Sequence, residues 1–411
     1  MSTTAVKAWS YRGRTIEGKL VKGKLDASSE GAAVARLKSM GVAPLAIDEA
    51  AVGTGLNQEI TIPGFEKKVG LKDLAVMSRQ MATMVSSGLS LLRTLSILAE
   101  QTENPKLART LADVRNEVEG GASLSTAMGR HAMVFPPLMI NLVRAGESGG
   151  FLEGALMSVA SNYESEHKLR STIKSALTYP VVVLSMAVLA VIGMLLFIVP
   201  TFKGMFESLG GQLPLPTQML VWLSEGMRFA APVLVVAGVA FAAWWGKNRY
   251  TDRVRSFVDP LILKMPVFGM LFKKVAVARF TRNFSTMIGA GVPILQSLSI
   301  VGETSGNWVI EQALKKVTES VRVGKSIAGP LSQEPVFPAM VTQMVAVGED
   351  SGSLEQMLEK IADFYDDEVQ STTEALTSLI EPLMIALIGI VVGGMIVALY
   401  LPVFNIFTLI K

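Results

Sequence analysis

One pattern of residues occurs twice in this chain. Around Arg79 the chain reads Arg-Gln-Met-Ala-Thr-Met-Val-Ser-Ser-Gly-Leu, and around Arg282 it reads Arg-Asn-Phe-Ser-Thr-Met-Ile-Gly-Ala-Gly-Val. The correspondence continues to Tyr163 and Tyr365, and each copy then runs into a long apolar segment. Matches over about 130 residues, with a single one-residue shift, indicate a duplicated structural unit rather than low complexity. The fold must therefore hold two similar units.

The apolar segments predict a membrane protein. Half of the 411 residues are hydrophobic and 18% are charged, which is a low charged fraction for a soluble protein. Uncharged runs cover 175–202 and 382–410, and a shorter one covers 229–246. About 20 apolar residues cross the hydrocarbon layer, so the first and last runs are long enough. The middle run is either a span or a buried helix. Both copies should enter the membrane from one side, so a return crossing between them favours three spans.

Basic residues near the apolar runs predict the orientation. Lys168, Arg170 and Lys174 precede the first run, and Lys247 and Arg249 follow the second. Lys and Arg are enriched on the cytoplasmic side, which places the N-terminus in the cytoplasm and the C-terminus outside. The first residues lack the charged and apolar regions of a cleaved signal peptide. The absence of cysteine excludes disulfides, thiolate metal sites and cysteine nucleophiles.

The predicted fold class is mainly α: an integral membrane protein with two repeated cytoplasmic helical bundles, three transmembrane helices and a small α+β N-terminal module. In that module, Arg12-Gly13-Arg14 is interpreted as a turn before a strand at Thr15–Leu25, and Ser28 as the start of a helix that stops at Gly41. The predicted domains are the N-terminal module 1–50, a linker 51–70, the first bundle 71–176, the first membrane helix 177–202, a short extracytoplasmic loop 203–228, the second membrane helix 229–246, the second bundle 247–379, the third membrane helix 380–404 and an extracytoplasmic tail 405–411.

A glycine-acid motif stands at the same place in both copies. Such a motif supplies permissive backbone angles and short polar caps between two helices, so it is either a structural joint or a partner-contacting loop on the cytoplasmic face. The candidate residues are Gly146, Glu147, Ser148 and Gly149 in the first copy and Gly348, Glu349, Asp350 and Gly352 in the second.

Two further patterns concern packing. Gly389 and Gly393, with Gly394 beside them, allow close approach of another helix, either within the chain or between subunits. Pro180 and Pro382 stand where each bundle meets its apolar run, and Pro200 and Pro402 stand near the outer ends; these four prolines predict kinks or stops.

The sequence offers little catalytic chemistry. Gly324-Lys325-Ser326 matches the end of a phosphate-binding loop, but Glu319 occupies the place of the required first glycine. Neither His131 nor His167 has a second ligand at metal-binding spacing. The acidic residues between Glu359 and Glu368 form either a solvated helix face or a docking surface for a basic partner. We therefore expect no enzyme activity, no catalytic residue and no cofactor, and leave open a metal ion at a subunit interface.

The motifs resemble those of the type II secretion F family. The resemblance is carried by Arg79-Gln80-Met81-Ala82-Thr83-Met84, by Gly146-Glu147-Ser148-Gly149, by Tyr179-Pro180 and by the second-copy counterparts. It covers nearly the whole chain. The second copy departs at Glu381, where the first copy has Tyr179, and at Asp350, where the first has Ser148. The two bundles therefore need not do the same work.

The resemblance implies an inner-membrane assembly platform of a type IV pilus machine, which couples a cytoplasmic ATPase to pilin extraction and filament assembly. The implied partners are an assembly or retraction ATPase, pilin or pseudopilin subunits, other inner-membrane pilus components and a second copy of the chain in a dimer, with no nucleic acid. The alternatives are the platform protein of a type II protein secretion system and a membrane transporter. No Asp, Glu, Lys, Arg or His lies within the apolar runs, which argues against an ion-coupled transporter. Replacing Glu147 or Glu349 with Lys is expected to impair pilus assembly at normal protein levels.

Overall fold

A computed structural model of the protein describes residues 7–15, 20–27, 30–39, 42–49, 68–208, 213–249 and 251–409. These residues divide into two compact units, 1–66 and 67–411. The predicted linker 51–70 lies outside the described residues except for its last three positions.

The first unit contains a three-stranded antiparallel sheet and one helix. Its elements are β1 (Lys7–Thr15), β2 (Leu20–Ala27), α1 (Glu30–Ser39) and β3 (Val42–Glu49), with strand order β2-β1-β3. The predicted turn at Arg12-Gly13-Arg14 is wrong, because these residues lie inside β1. The pairing of β1 with β3 shifts by one residue between Arg12 and Gly13, so the glycine marks a bulge.

Six helices build the first copy. They are α2 (Leu71–Ser86), α3 (Leu91–Gln101), α4 (Pro105–Glu119), α5 (Leu124–Arg130), α6 (Pro137–Gly149) and α7 (Leu152–Gly193). Side chains fix where several of them begin: Ser90 accepts a hydrogen bond from the backbone N–H of Arg93, and Asn104 accepts from Lys106 and Leu107. Short polar side chains at these positions satisfy amides that have no partner within the helix.

The second copy follows the same order. It comprises α11 (Phe268–Gly289), α12 (Ile294–Thr304), α13 (Trp308–Arg322), α14 (Ala328–Ser332), α15 (Ala339–Ser351) and α16 (Leu354–Leu409), preceded by α10 (Asp252–Lys264). Helices α11 to α16 therefore correspond in turn to α2 to α7.

The two copies share one hydrophobic core. Buried side chains from both belong to a single continuous cluster, with Phe135 from the first copy and Phe280 from the second. Within it, the ring of Phe280 lies 5.8 Å from that of Phe284 and 5.1 Å from that of Phe337. The picture of two independently packed bundles therefore changes, because α7 packs against both α11 and α16 and joins the two sets of helices.

Three helical segments are long and apolar enough to cross a membrane, as predicted. They are Leu152–Ser208, Leu215–Asn248 and Leu354–Pro402. The first consists of α7, a short π-helical segment at Met194–Ile198 and α8 (Val199–Ser208), and the second is α9 (Leu215–Asn248). Only length and composition identify these spans.

None of the four prolines stops a helix, so that part of the prediction is wrong. Pro180 lies inside α7, Pro200 inside α8, and Pro382 and Pro402 inside α16. Helices in membranes tolerate proline when neighbouring groups satisfy the freed backbone carbonyls.

The predicted loop 203–228 is mostly helical. Residues 203–208 belong to α8 and 215–228 to α9, and 209–212 lie outside the described residues. The charges that suggested a loop instead join the two helices, since Lys203 Nζ lies 2.7 Å from Glu225 Oε1. The predicted tail 405–411 is also helical as far as Leu409.

The far ends of the three spans pack together. Leu195, Val221 and Leu399 belong to one buried cluster there. The Thr217 hydroxyl donates to the carbonyl of Ala398 and the Ser224 hydroxyl to that of Leu195, each at 2.5 Å. The second bond falls within the π-helical segment, where the backbone hydrogen bonds of α7 change register. Nearer the middle of the spans, many side chains are exposed, as Leu189 and Ile390 are.

Candidate interaction sites

The glycine-acid motifs form tight joints between helices. A Cβ at Gly146 would lie 2.4 Å from the Cβ of Ala155 in α7, and one at Gly348 would lie 2.9 Å from the Cα of Leu354 in α16. Neither position has room for a side chain. Gly150 and Gly352 end the preceding helices with φ angles of 73° and 69°, the left-handed conformation that glycine adopts without strain. We call residues 141–150 the first-copy joint and the corresponding residues 343–352 the second-copy joint.

The acid of each joint holds the start of a neighbouring short helix. Glu147 accepts hydrogen bonds from the backbone N–H groups of Leu124 (2.5 Å) and Ser125 (3.0 Å) in α5. Glu349 accepts from Ile327 (2.6 Å) and Ala328 (2.8 Å) at the start of α14. The first amides of a helix have no partner within it, and negative charge is favoured there. Both oxygens of each carboxylate are used in this way, which supports a structural role for both acids.

The other candidate residues of the two joints have different surroundings. Ser148 and Gly149 line a cleft of about 400 Å³ between the two copies, with Asn141 on one side and Pro293 on the other. Asp350 corresponds to Ser148. Ser148 and Asp350 are both exposed, so the second-copy joint carries an exposed acid where the first-copy joint carries a serine that lines the cleft between the copies.

An arginine-acid pair links the first and last helix of each copy. Arg79 Nε lies 2.6 Å from Glu164 Oε1, and its Nη2 lies 2.5 Å from Glu164 Oε2, a two-pronged pair between α2 and α7. Arg282 Nη2 lies 2.8 Å from both Asp363 and Asp366, joining α11 to α16. The repeat identified both arginines, but sequence reasoning missed their partners. The signal was present, because Glu164 and Asp366 each follow the matched tyrosine.

These two pairs shift their acids in opposite directions. The hydrogen bond from Arg79 lowers the pKa of Glu164. Burial raises the pKa of Asp366 and outweighs the hydrogen bond from Arg282. Equivalent positions in the two copies therefore have different electrostatic surroundings.

A polar contact between the copies lies where α7 crosses α11. The Asn162 side-chain amide donates to Asn283 Oδ1 at 2.9 Å, and both side chains are buried. Close by, Arg279 Nη2 lies 2.8 Å from Glu166 Oε1, and burial lowers the pKa of this arginine despite the carboxylate. The repeat could not reveal this contact, because it joins positions that do not correspond to each other.

The remaining sequence candidates have ordinary structural surroundings. Gly324-Lys325-Ser326 lies in the turn between α13 and α14, where Ser326 accepts a hydrogen bond from the backbone N–H of Gly329 at 3.3 Å. In the acidic segment, Asp363 and Asp366 bind Arg282, and Glu368 lies 2.6 Å from Lys274. Among the described residues no cluster of three or more His, Cys, Asp or Glu side chains is placed to hold a metal ion.

The glycines of the third apolar run have open space around them. A Cβ at Gly389, Gly393 or Gly394 would meet nothing within 4 Å. Close packing within the described chain does not explain these glycines. Packing against another subunit stays a prediction.

The family of the chain follows from comparison with known proteins. The family described as type II secretion system (T2SS), protein F, matches the chain twice, at residues 77–200 and 280–402. Its N-terminal domain family matches residues 6–48. The two longer segments lie within the two copies and extend close to the C-terminal ends of the first and third spans. This chain belongs to the type II secretion system protein F family.

Individual relatives resemble the chain over nearly its full length. Type IV pilus assembly protein PilC of Myxococcus xanthus is 42% identical over 98% of this chain and 95% of its own. PilC of Thermus thermophilus is 42% identical over 97% of this chain and 98% of its own. Type II secretion system protein F of Vibrio cholerae serotype O1 is 31% identical over 96% of this chain and 97% of its own. The two proteins named for pilus assembly are thus more similar to the chain than the one named for secretion.

Proposed function

We propose that this protein is the inner-membrane assembly platform of a type IV pilus machine. Identity of 42% to two proteins named for type IV pilus assembly, over nearly the whole chain, supports the pilus branch of the family. On this proposal the protein transmits motion from a cytoplasmic ATPase to pilin subunits and carries out no chemical step itself.

The proposed membrane arrangement places the packed bundles of both copies in the cytoplasm. Segments 177–202, 229–246 and 380–404 cross the inner membrane, with the N-terminus inside and the C-terminus outside. The basic residues beside the first and second spans support this orientation. The bundle 71–176 and the second bundle 247–379 then face the ATPase.

The continuity of two helices carries the mechanical part of the proposal. Helix α7 runs from the packed helices of the first copy into the first apolar run without interruption, and α16 does the same for the second copy. Because no break separates the packed part of either helix from its apolar part, with Pro180 and Pro382 inside the continuous helices, we infer that displacement of the cytoplasmic part moves the membrane part. The exposed apolar side chains in the middle of these spans, such as Leu189 and Ile390, are available to the apolar segment of a filament subunit.

Gene deletion in the native host tests the assignment. We expect the deletion to remove surface filaments and to leave the set of secreted proteins unchanged, with filaments restored by the wild-type gene. Intact filaments with missing secreted proteins would assign the chain to type II secretion instead.

An insertion tests the role of the continuous helix. Four Gly and Ser residues inserted after Ala176 interrupt α7 where the packed part meets the apolar run. We expect normal membrane levels without filaments. The matched control is the same insertion after Gly121, in the exposed turn between α4 and α5, which should support filaments. Filaments from the first variant would contradict transmission through α7.

Cysteine labelling tests the orientation, since the native chain has no cysteine. Met133, in the turn after α5, is 94% exposed, and Leu215, at the start of α9, is 74% exposed. A membrane-impermeant thiol reagent added to intact spheroplasts should label Leu215→Cys and spare Met133→Cys until the membrane is opened. The reverse pattern would overturn the orientation.

A further inference from the structure

Within the chain, the first-copy joint contacts a turn of the second copy. Asn141, Ser148 and Gly149 of the joint face the turn between α11 and α12, and Gln296 Nε2 lies 3.5 Å from Asn141 Oδ1. In that turn Ala290 is only 4% exposed. We call the residues 290–293 and Gln296 the second-copy turn.

The duplication supplies a second pair of the same surfaces. The second-copy joint presents Gln343, Val347, Asp350 and Ser351 at the positions of Asn141, Ala145, Ser148 and Gly149. The first-copy turn, 87–90 with Arg93, corresponds to 290–293 with Gln296. The correspondence is fixed by the helix ends: α2 and α11 end 203 residues apart, at Ser86 and Gly289, and α6 and α15 end 202 residues apart, at Gly149 and Ser351.

This second pair of surfaces is uncovered. Val347 is 57% exposed, and Gln343, Asp350 and Ser351 are exposed as well. On the other side, Ser87 is exposed whereas its counterpart Ala290 is buried. Asn141 and Ala145 are half-buried where Gln343 and Val347 are exposed, whereas Ser148, Gly149 and their counterparts are all exposed. The joint and turn that contact each other within the chain are thus less exposed than the corresponding joint and turn.

The free surfaces have complementary charge. The second-copy joint has Asp350 where the first has a serine, and the first-copy turn has Arg93 where the second has Gln296. Among the described residues neither side chain takes part in an ion pair. If the internal contact is repeated with these surfaces, Gln343 and Asp350 come to lie beside the turn that carries Arg93. Opposite charges across an interface favour one partner and one register.

We propose that the second-copy joint of one molecule binds the first-copy turn of a second copy of this chain, which repeats between molecules the contact made within each. Such a contact is heterologous and continues from molecule to molecule until a ring closes. In both copies the last helix continues into an apolar run, and the ring that we infer has its axis normal to the membrane so that all spans cross it together. The proposal does not depend on whether the protein serves pilus assembly or protein secretion.

Cysteine cross-linking tests the contact directly in the full-length protein. Arg93→Cys and Asp350→Cys are made in separate chains with different tags and co-expressed in membranes, then oxidised mildly. We expect a mixed dimer that carries both tags. The matched control pairs Arg93→Cys with Lys315→Cys, because Lys315 is also exposed but lies on α13, and should give at least tenfold less mixed dimer.

Charge reversal provides a second, independent readout. Asp350→Arg and Arg93→Asp should each lower the oligomer mass of the purified protein in detergent, and the two changes combined should restore it. Helical content and melting temperature, measured alongside, show that each variant is folded, since both side chains lie on the surface.

Three results would overturn the proposal. They are the absence of the mixed dimer, equal cross-linking by the Lys315→Cys control, and an oligomer mass that does not respond to charge reversal. A dimer formed by Arg93→Cys with itself would likewise overturn it, because it would indicate a symmetric contact. None of these readouts uses filament assembly, so failure here is distinguishable from failure of the proposed function.

Discussion

The two copies agree in backbone geometry and differ in the surroundings of their charges. Each has a glycine where two helices touch and an acid that holds a short helix. Each also has an arginine that binds the last helix. In the first copy, however, Arg79 is 39% exposed and meets one acid, whereas Arg282 is 21% exposed and meets two, of which Asp366 is 31% exposed and Asp363 52%. After duplication, the contacts that set helix positions are the same in both copies, whereas the electrostatics have diverged.

The second difference is which surfaces each copy leaves free. The first-copy joint lines a cleft against the second copy, with Asn141 and Ala145 half-buried. In the second-copy joint the corresponding Gln343 and Val347 are exposed, and Asp350 replaces Ser148. The two copies thus differ in which surfaces are exposed, because the joint of the first copy contacts the turn of the second copy. Making the same substitution at corresponding positions of the two copies, and comparing the changes in stability, shows which contacts have the same role in both.

The largest effects are expected at the tight glycines. Gly146→Ala places a methyl group 2.4 Å from the Cβ of Ala155, and Gly348→Ala places one 2.9 Å from a backbone carbon of Leu354. Each should destabilise the protein by about 1–3 kcal/mol, since overpacking forces helices apart. Thermal unfolding of the full-length protein in detergent measures this. Gly154→Ala is the control, because a Cβ there meets nothing within 4 Å. Unchanged melting at Gly348 alone would show that the joints are not equivalent.

The acids of the joints come next. In Glu147→Gln and Glu349→Gln one oxygen still accepts a backbone N–H, but the new amide group faces the second N–H and cannot accept from it. Each variant should lose about 1.5–3 kcal/mol, in the range for hydrogen bonds to charged groups. The exposed Asp350→Asn should change stability by less than about 0.5 kcal/mol. The sequence predicted that replacing Glu147 or Glu349 with Lys impairs assembly at normal protein levels. Because these acids stabilise the fold, we now expect the Lys variants to show lower protein levels as well, which immunoblotting measures.

Much of the fold was predictable because its signals are local or repeated. Apolar runs predicted the three spans, and the recurrence of Gly146 and Gly348 located both joints. The roles of Glu147 and Glu349 were not predictable, because the amides that they bind lie more than 20 residues earlier in the chain. The helical character of 203–228 was missed because Lys203 and Glu225 suggest solvent until their pairing is known.

The contact between the copies could not be predicted from the sequence for a related reason. Asn162 and Asn283 belong to different copies and are 121 positions apart, with no counterpart contact elsewhere in the repeat. A duplication shows what the copies share, and it carries no information on how they pack together.

The buried amide pair is expected to have the next largest effect. Asn283→Ala removes the acceptor of the Asn162 amide and leaves that buried donor with a weaker contact to Thr286 at 3.4 Å. An unsatisfied buried donor costs about 1–3 kcal/mol, here reduced by the remaining contact. In Asn162→Ala combined with Asn283→Ala, the loss should be smaller than the sum of the two single losses. Additive losses in unfolding experiments would show that the two side chains act independently.

The smallest effects are expected at the arginine-acid pairs. There the contribution of the charged acid to stability at pH 7 should differ in sign between the two copies. The pKa of Glu164 is lowered from its usual 4.5, so its contribution to stability is present above that pH and is lost as the pH falls through the folded value. Glu164→Gln should therefore lower stability at pH 7, by less than about 1 kcal/mol because the pair is solvent-exposed, and the difference should vanish in acid.

For Asp366 the sign is reversed, because burial raises its pKa above the usual 3.8. The folded state then loses stability as the pH rises through the folded value, so the charged carboxylate opposes folding at pH 7. Asp366→Asn removes that charge while Asp363 remains bound to Arg282, and it should leave stability at pH 7 unchanged or slightly raised. Melting temperatures of both variants and the wild type, measured from pH 2 to pH 8 so that the range extends well below the usual pKa of Glu164, separate the two cases. Losses of equal size at pH 7 would mean that the two pairs have the same energetic role, and that the divergence between the copies is confined to their surfaces.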